Sequence, residues 1–204
     1  MAADDDAPRS MRDEGVRERR KQMLKLPHVA PLTDYAEKLR GRPLVQVPDF
    51  DPLDGGIHAR ALFLFEKPGP MTAINGRRIG SGFVSRNNDD ATAEATFRFM
   101  EQADLPRSLT VIWNVIPWWN KTVAVTKEEL GEGVSCVGEL LALLRPNLRA
   151  VVMVGRRAAA ARPYLEKTKL KLFTSDHPSP RVRARWPSRW NAIPTEWVKV
   201  HNSL

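Results

Sequence analysis

The chain has 204 residues, of which 42% are hydrophobic and 27% charged, and its formal net charge is +8. This length and composition predict one domain of ordinary size with a substantial core. The absence of an apolar run of ~18 residues argues against a membrane span, and the acidic start lacks a signal-peptide pattern, which favours a cytoplasmic protein. A single cysteine, Cys136, excludes an internal disulfide and the thiolates of an iron–sulfur cluster, and no metal or cofactor motif is present.

The start of the chain differs in composition from the rest. We interpret residues 1–25, which mix both charge signs densely, as a charged arm that is partly disordered, and residues 26–204 as the α/β domain. Residues 26–42 are predicted to hold a helix after Pro31. Residues 43–59 are rich in Pro, Asp and Gly, which is typical of a connecting loop.

Four apolar runs follow, with helical segments between them. The predicted strands are Ala61–Phe65, Leu109–Val115, Ala150–Val154 and Leu170–Thr174. The predicted crossover helices are a segment from about Asp89 to Ala103 with Asn88 as its N-cap, Ser135–Leu144, and the alanine-rich segment after Gly155. Repeated β-α-β units predict a four-stranded parallel doubly wound sheet flanked by helices.

Three polar residues lie at or just past the carboxyl ends of these strands: Glu66, Asn114 and His177. Open α/β sheets bind their ligands along that edge, so a carboxylate, an amide and an imidazole are predicted to converge on an active site. Asn114, within an apolar strand, either ties down the following loop or reads the edge of a base. His177, followed by a proline, is a candidate electrophile or acid.

Positive charge follows His177 directly. Arg181, Arg183, Arg185 and Arg189 come without an acid among them, and Trp186 and Trp190 are interleaved with them. This pattern favours contact with a phosphate backbone and therefore a polyanionic substrate. Phe83, in a glycine-flanked loop, is either a flat stacking surface or part of the core.

Together these segments, from about Leu62 to Trp190, resemble the uracil-DNA glycosylase superfamily. Glu66-Lys67-Pro68-Gly69 is similar to its first motif, and Met153-Val154-Gly155 to its third strand and turn. His177-Pro178-Ser179-Pro180 is similar to its second motif, whose histidine stabilises the leaving uracil anion. Asn114 matches the asparagine that reads uracil, and Phe83 matches the aromatic residue that stacks on it.

The resemblance implies a DNA repair enzyme that flips uracil out of DNA and hydrolyses its N-glycosidic bond, leaving an abasic site. It implies that His177 and Glu66 are catalytic and that the base is bound by Asn114, Phe83, Lys67, Pro68 and Gly69. The DNA contacts are then Ser179, Pro180, Arg181, Arg183 and Arg185. The partner is uracil-containing DNA, single- or double-stranded, and the protein is expected to be a cytoplasmic, nucleoid-associated monomer without metal or cofactor.

The first motif departs from the family pattern. Lys67 stands where the best-known branches carry Asp or Asn to position the attacking water, so Glu66 is the candidate for orienting water or stabilising a cationic sugar. Lys67 either pairs with Glu66 or forms a Schiff base at C1′ of the sugar. Gly69 replaces a bulky tyrosine and leaves room beside C5 of the base, which predicts weaker exclusion of thymine. Arg181 replaces a leucine wedge and either fills the vacated stack or binds phosphate.

Several alternatives stay open at this level. A non-catalytic or slow binder of uracil-containing or abasic DNA is motivated by Lys67. An unrelated enzyme acting on a phosphorylated small molecule is disfavoured, because no phosphate-loop glycine pattern is present. Trp118-Trp119-Asn120-Lys121 either flanks a DNA groove or covers the sheet edge. Asp89 and Asp90 either contribute to the site or stabilise a helix N-terminus.

Overall fold

The computed structural model describes residues 3–43, 45–74 and 79–204. Residues 1–2 of the predicted arm and residue 44 of the predicted connecting loop lie outside the described residues. Among the helices of these three ranges, none is long and apolar enough to cross a membrane.

From residue 83 to residue 185, strands and α-helices alternate along the chain. The helices are α1 (Glu14–Gln22), α2 (Ala30–Arg40), α3 (Ala91–Gln102), α4 (Lys127–Leu144), α5 (Arg162–Leu165), α6 (Pro180–Arg185) and α7 (Pro187–His201). The strands are β1 (Asp49–Phe50), β2 (Ala61–Phe65), β3 (Phe83–Val84), β4 (Thr110–Asn114), β5 (Ala150–Val154) and β6 (Lys171–Ser175). All four predicted strands are therefore confirmed, as β2, β4, β5 and β6.

The main sheet has four strands in the order β4-β2-β5-β6, and every neighbouring pair is parallel. All residues of β2, β4 and β5 are buried. Continuous apolar runs of this kind are expected where helices cover both faces of a parallel sheet. The predicted fold class is confirmed. The short strands β1 and β3 form a separate parallel pair.

Aromatic side chains connect the sheet to helices on both faces. On one face, Phe63 of β2 meets Trp197 of α7 edge-on, with 5.0 Å between ring centroids. On the other face, Trp113 of β4 stacks on Phe50 at 3.6 Å, and its ring centroid lies 6.3 Å from that of Tyr35 of α2. Phe63 pairs in register with Ile112, the residue before Trp113. Because successive side chains of a strand point to opposite faces, Phe63 and Trp113 pack on opposite faces of the sheet.

Two predicted helix starts are wrong. Asp90, not Asn88, caps α3, because its carboxylate accepts from the backbone N–H groups of Thr92 and Ala93, each at 2.9 Å. The helix α4 begins at Lys127 rather than at Ser135. Gly133 lies in this added part, and a Cβ there would meet the Val115 carbonyl oxygen at 2.4 Å. The glycine thus marks a close helix–loop approach rather than the absence of a helix.

The segment of residues 3–25, called the N-terminal segment below, packs against the rest of the chain. Its Arg20 is 1% exposed and forms an ion pair with Asp51, which is also buried. Its Met11 and Val16 bury Phe83 in a small apolar cluster. The division of the chain at residue 25 stays a prediction.

Candidate active site

A cleft of about 460 Å³ opens at the carboxyl edge of the main sheet. Glu66, just past β2, Asn114, the last residue of β4, and His177, just past β6, all line it. They meet because the carboxyl ends of parallel strands lie at one edge of the sheet. The opposite wall is formed by residues between β3 and the start of α3, including Asn88 and Asp90.

Asn114 is the most constrained polar group of the cleft. It is 5% exposed, and it pairs in register with Phe65 of β2. Directly after it, the Val115 N–H donates to the Phe65 carbonyl at 2.8 Å, so backbone hydrogen bonds hold this strand end without the side chain. The Asn114 amide makes no hydrogen bond with residues 3–43, 45–74 or 79–204. Within these ranges the side chain thus makes no hydrogen bond to the following loop, and its reading of a base edge stays a prediction.

His177 lies beside Glu66 and Gly155. A Cβ built on Gly155 would lie 3.4 Å from Glu66 Oε1 and 3.4 Å from His177 Cβ, and the φ of Gly155 is +88°. A positive φ favours glycine, so the turn after β5 places the carboxylate and the imidazole on either side of a bare backbone. The ring of Phe65 meets the imidazole edge-on, with centroids 5.5 Å apart.

The surroundings of His177 favour the neutral form of its imidazole. Burial lowers the pKa of His177 below its usual value of 6.5, and the negative charges of Glu66 and Asp90 oppose this only in part. The ring makes no hydrogen bond within the described part of the chain. A neutral imidazole carries one N–H donor, which is therefore available to a ligand in the cleft.

Glu66 interacts with Arg157 rather than with Lys67. The Arg157 backbone N–H donates to Glu66 Oε1 at 3.4 Å, and the guanidinium lies 3.8 Å from Oε2. The Glu66 side chain is 30% exposed, so its carboxylate has a side open to the cleft.

Lys67 is held by Glu129 of α4, so the expected pair with Glu66 is wrong. Its ammonium donates to Glu129 Oε1 at 2.6 Å, to Asn120 Oδ1 at 2.7 Å and to the Ala124 carbonyl at 3.2 Å. Successive residues of an extended chain point to opposite sides, which separates Lys67 from Glu66.

The segment after β4 covers the sheet edge. Trp118 and Trp119 are 4% and 8% exposed, and the Trp118 indole donates to Glu129 Oε1 at 3.0 Å. Asn120 donates to the same oxygen at 3.0 Å. Of the two interpretations of this segment, covering the sheet edge is the one that agrees with the burial of both tryptophans.

Phe83 does not line the cleft, which corrects its prediction as the stacking aromatic residue. Its side chain is fully buried under Met11 and Val16. The aromatic residue of the cleft is Phe65, at the end of β2. Sequence reasoning missed it because an aromatic residue that ends an apolar strand looks like core.

Sequence reasoning also missed the wall of the cleft that lies opposite the sheet. Ser85, Arg86 and Asn88 line it, and all three are buried. Burial lowers the pKa of Arg86 to about 10, a value at which the side chain remains charged at neutral pH. The sequence signal for this wall was the unbroken run of polar residues that begins at Ser85 and leads to the start of α3.

The remaining predicted residues lie in two places. Pro68 and Gly69 line the cleft beside Lys67, and a Cβ on Gly69 would meet no atom within 4 Å. Ser179 caps α6, where it accepts from the Val182 N–H at 3.4 Å, and Pro180 is the first residue of that helix.

The arginines after His177 form an exposed surface on α6. Arg181, Arg183 and Arg185 are exposed, and none has a carboxylate partner within the described ranges. The Arg183 and Arg185 guanidinium carbons lie 5.0 and 4.8 Å from the ring centroids of Trp190 and Trp186. Arg189 differs, because its guanidinium is bound by Asp176 at 2.8 Å.

A scan against protein-family models finds no match, and no curated protein matches the sequence. Among solved structures, the chain is similar to a variant of mimivirus UNG in complex with UGI, with 18% identity, a TM-score of 0.46, and 79% of this chain and 73% of that chain covered. It is also similar to UNG from Nitratifractor salsuginis, with 13% identity, a TM-score of 0.43, and 89% and 96% covered. Neither likeness identifies the activity of this chain.

Proposed function

We propose that the protein is a uracil-DNA glycosylase, which flips uracil out of DNA and hydrolyses its N-glycosidic bond to leave an abasic site. One observation carries this proposal: the unpartnered amide of Asn114 and the neutral imidazole of His177 line one cleft. The amide offers a donor and an acceptor side by side, which is what O4 and N3–H of uracil require. N3–H lies on the Watson–Crick edge, so reading it requires a base that is unpaired or flipped out of the duplex.

His177 is suited to stabilise the departing base. Breaking the glycosidic bond places negative charge on uracil O2 and positive charge on the sugar. A neutral imidazole can donate a hydrogen bond to that oxygen without giving up a proton, and a preorganised donor stabilises charge as it develops. Because burial lowers the pKa of His177, this protonation state exists at neutral pH.

Glu66 is the candidate for the other half of the reaction. Its partly exposed carboxylate lies beside His177 across Gly155, where it can orient a water molecule or stabilise the cationic sugar. The proposal is limited to hydrolysis. A Schiff base requires a free amine, whereas three acceptors hold the Lys67 ammonium in an ion pair with Glu129.

The DNA contacts belong to the same proposal. The unpaired arginines of α6 follow the His177 loop and are suited to phosphates of the strand that carries the target base. We propose a monomeric cytoplasmic protein that acts in base excision repair.

The test is single-turnover release of uracil from single- and double-stranded oligonucleotides. His177→Ala and Asn114→Ala should each slow release by roughly 100-fold or more, since one preorganised donor is typically worth that much. Glu66→Ala shows whether the carboxylate handles water. Arg145→Gln, an exposed residue after α4, is the control and should not change the rate. Borohydride should trap no covalent complex. Uracil release that survives both Asn114→Ala and His177→Ala would contradict the proposed site.

A second candidate is a damage binder without catalysis. This candidate is favoured by Lys67, which places a cation where a residue that positions water is expected. Glu129 holds the Lys67 ammonium in that place. This candidate predicts that the wild-type protein binds uracil-containing DNA and releases no base from either substrate.

A further inference from the structure

A second groove, of about 550 Å³, lies between α3 and α7. We call it the α3–α7 groove; its lining includes Arg9, Glu94, Arg98, Pro178, Arg183 and Trp190. Pro178 lines this groove, and the preceding residue, His177, lines the catalytic cleft. The two depressions are thus separated by a single peptide unit of the His177 loop, so one DNA strand can reach both.

The groove has an aromatic wall with a cation above it. The Trp190 ring meets Phe99 edge-on, with centroids 4.6 Å apart, and Phe99 is 4% exposed. The Arg183 guanidinium carbon lies 5.0 Å from the Trp190 ring centroid. Single-stranded nucleic acids are bound by stacking of bases on such aromatic faces, with arginine adding cation–π attraction.

Trp190 also has unfilled hydrogen-bonding capacity. Its indole N–H is buried and has no acceptor in the described ranges. Pro194, which lies inside α7, has no N–H and cannot make the usual helical hydrogen bond to the Trp190 carbonyl. Buried polar groups are normally satisfied, so a missing acceptor calls for an explanation.

The charge of the groove favours a phosphate strand. Three arginines, Arg9, Arg98 and Arg183, line it together with one carboxylate, Glu94. Arg9 binds that carboxylate at 2.7 Å and Asp89 at 3.2 Å, and Arg98 pairs with Glu101 at 3.2 Å. Arg183 is then the lining arginine without a carboxylate partner in the described ranges. A nucleotide brings both a flat ring for Trp190 and an anion for Arg183.

We propose that the α3–α7 groove binds the base of a nucleotide that flanks the flipped one in single-stranded DNA. This inference rests on the proposed function in one respect, that the target nucleotide occupies the catalytic cleft. In a duplex the flanking base is paired and stacked, so the groove is filled only by an unpaired strand. The protein should therefore bind single-stranded targets more tightly than the same sequence in a duplex.

The experiment uses the full chain and single-stranded oligonucleotides that carry a non-cleavable abasic analogue at the target position. The fluorescent base 2-aminopurine is placed on its 5′ side, on its 3′ side, or far from it. Binding should quench the fluorescence at one flanking position and leave the distant position unchanged. Binding without quenching at either flank, or no binding, would overturn the proposal.

Two variants connect the signal to the groove. Trp190→Leu should abolish the quenching and weaken binding about tenfold, within the range for loss of one stacked base. Trp190→Phe keeps an aromatic ring against Phe99 and should retain quenching. This variant serves as the test if Trp190→Leu fails to fold. Arg145→Gln removes an exposed arginine elsewhere and should behave like the wild type. Quenching that is unaffected in a folded Trp190→Leu protein would contradict the groove.

The outcomes separate the two proposals. If the wild type releases no uracil but quenching follows Trp190, the proposed function fails and the groove is retained. If uracil is released from normal DNA while flanking 2-aminopurine stays bright on binding, the function is retained and the groove proposal is wrong.

Discussion

His177 combines a position beside the carboxylate of Glu66 with a pKa that burial lowers. A carboxylate so close would ordinarily favour the charged imidazole, yet desolvation outweighs it here. The neutral form is the one that donates a hydrogen bond to a departing anion without first being deprotonated. The surroundings of this ring therefore extend the pH range over which it can act as a neutral donor.

The pH dependence of excision should reflect this shift. Since the pKa of folded His177 lies below 6.5, the imidazole stays neutral as pH falls through that value. The excision rate should decline only at lower pH. The free energy of unfolding should begin to fall near pH 6.5, because His177 of the unfolded chain takes up the proton first. Single-turnover rates measured between about pH 5 and pH 8 check this. An acid limb centred above 6.5 that disappears in His177→Gln would contradict it.

Gly69 determines how much room the cleft leaves. A Cβ at this residue meets nothing within 4 Å, and its φ of −102° is one that any residue adopts. A larger side chain should therefore fit without strain and narrow the cleft.

We predict that Gly69→Tyr lowers release of thymine from mismatched DNA more strongly than release of uracil. The tyrosine ring would occupy space that the thymine methyl group needs; one methyl group in an apolar pocket is typically worth roughly 10-fold or more in discrimination. Rates on matched uracil and thymine oligonucleotides measure it. Gly131→Tyr, another glycine with open space around it, is the control. An unchanged ratio of the two rates would show that Gly69 does not face C5.

At the scale of elements, the start of α4 holds the loop after β2. Glu129 accepts hydrogen bonds from Lys67, Trp118 and Asn120, and its side chain is 11% exposed. One carboxylate thereby joins the first motif to the segment after β4. This contact turns the lysine of the motif into a structural residue.

Glu129→Ala should destabilise the protein by about 3 kcal/mol, because it leaves the ammonium of Lys67 buried without its counter-charge. Urea unfolding measures the loss. The control is Glu128→Ala, which changes an exposed carboxylate in the same turn of α4 and should have little effect. Equal stability of the two variants would show that the ion pair of Glu129 and Lys67 contributes nothing.

At the scale of the whole molecule, buried charges join the N-terminal segment to the cleft wall. Asp51 binds Arg20 of that segment and also Ser85, a cleft residue. Burial alone would raise the pKa of Asp51, but Arg107 and Arg20 outweigh it and hold the pKa at about 2. One buried carboxylate thus links the N-terminal segment to the wall of the cleft.

We predict that Asp51→Asn lowers stability by about 3–5 kcal/mol at neutral pH, as expected when one partner of a buried ion pair is removed. In the wild type, the contribution of Asp51 is present above pH 3.8 and is lost as pH falls from 3.8 towards about 2. Urea unfolding as a function of pH measures both effects. Asp34→Asn, on the exposed side of α2, is the control. If the free energy of unfolding had the same pH dependence in the wild type and in Asp51→Asn, this assignment would be wrong.

The main sheet, and the meeting of Glu66, Asn114 and His177 at its carboxyl edge, could be predicted from the amino-acid sequence. Strands covered on both faces are continuous apolar runs, and parallel strands have their carboxyl ends at one edge, so both features follow from local pattern and topology. The positive charge after His177 was equally evident from the amino-acid sequence.

The contact partners of these residues could not be predicted in this way, because they depend on how the whole chain packs. Phe83 is covered by Met11 and Val16, Lys67 is bound by Glu129, and Arg9 lines the α3–α7 groove together with Trp190. Each of these relations joins residues far apart in the chain, and several side chains of equal chemistry compete for each partner. Periodicity reports which side of an element is buried, but what lies against that side is decided by the packing of the whole chain.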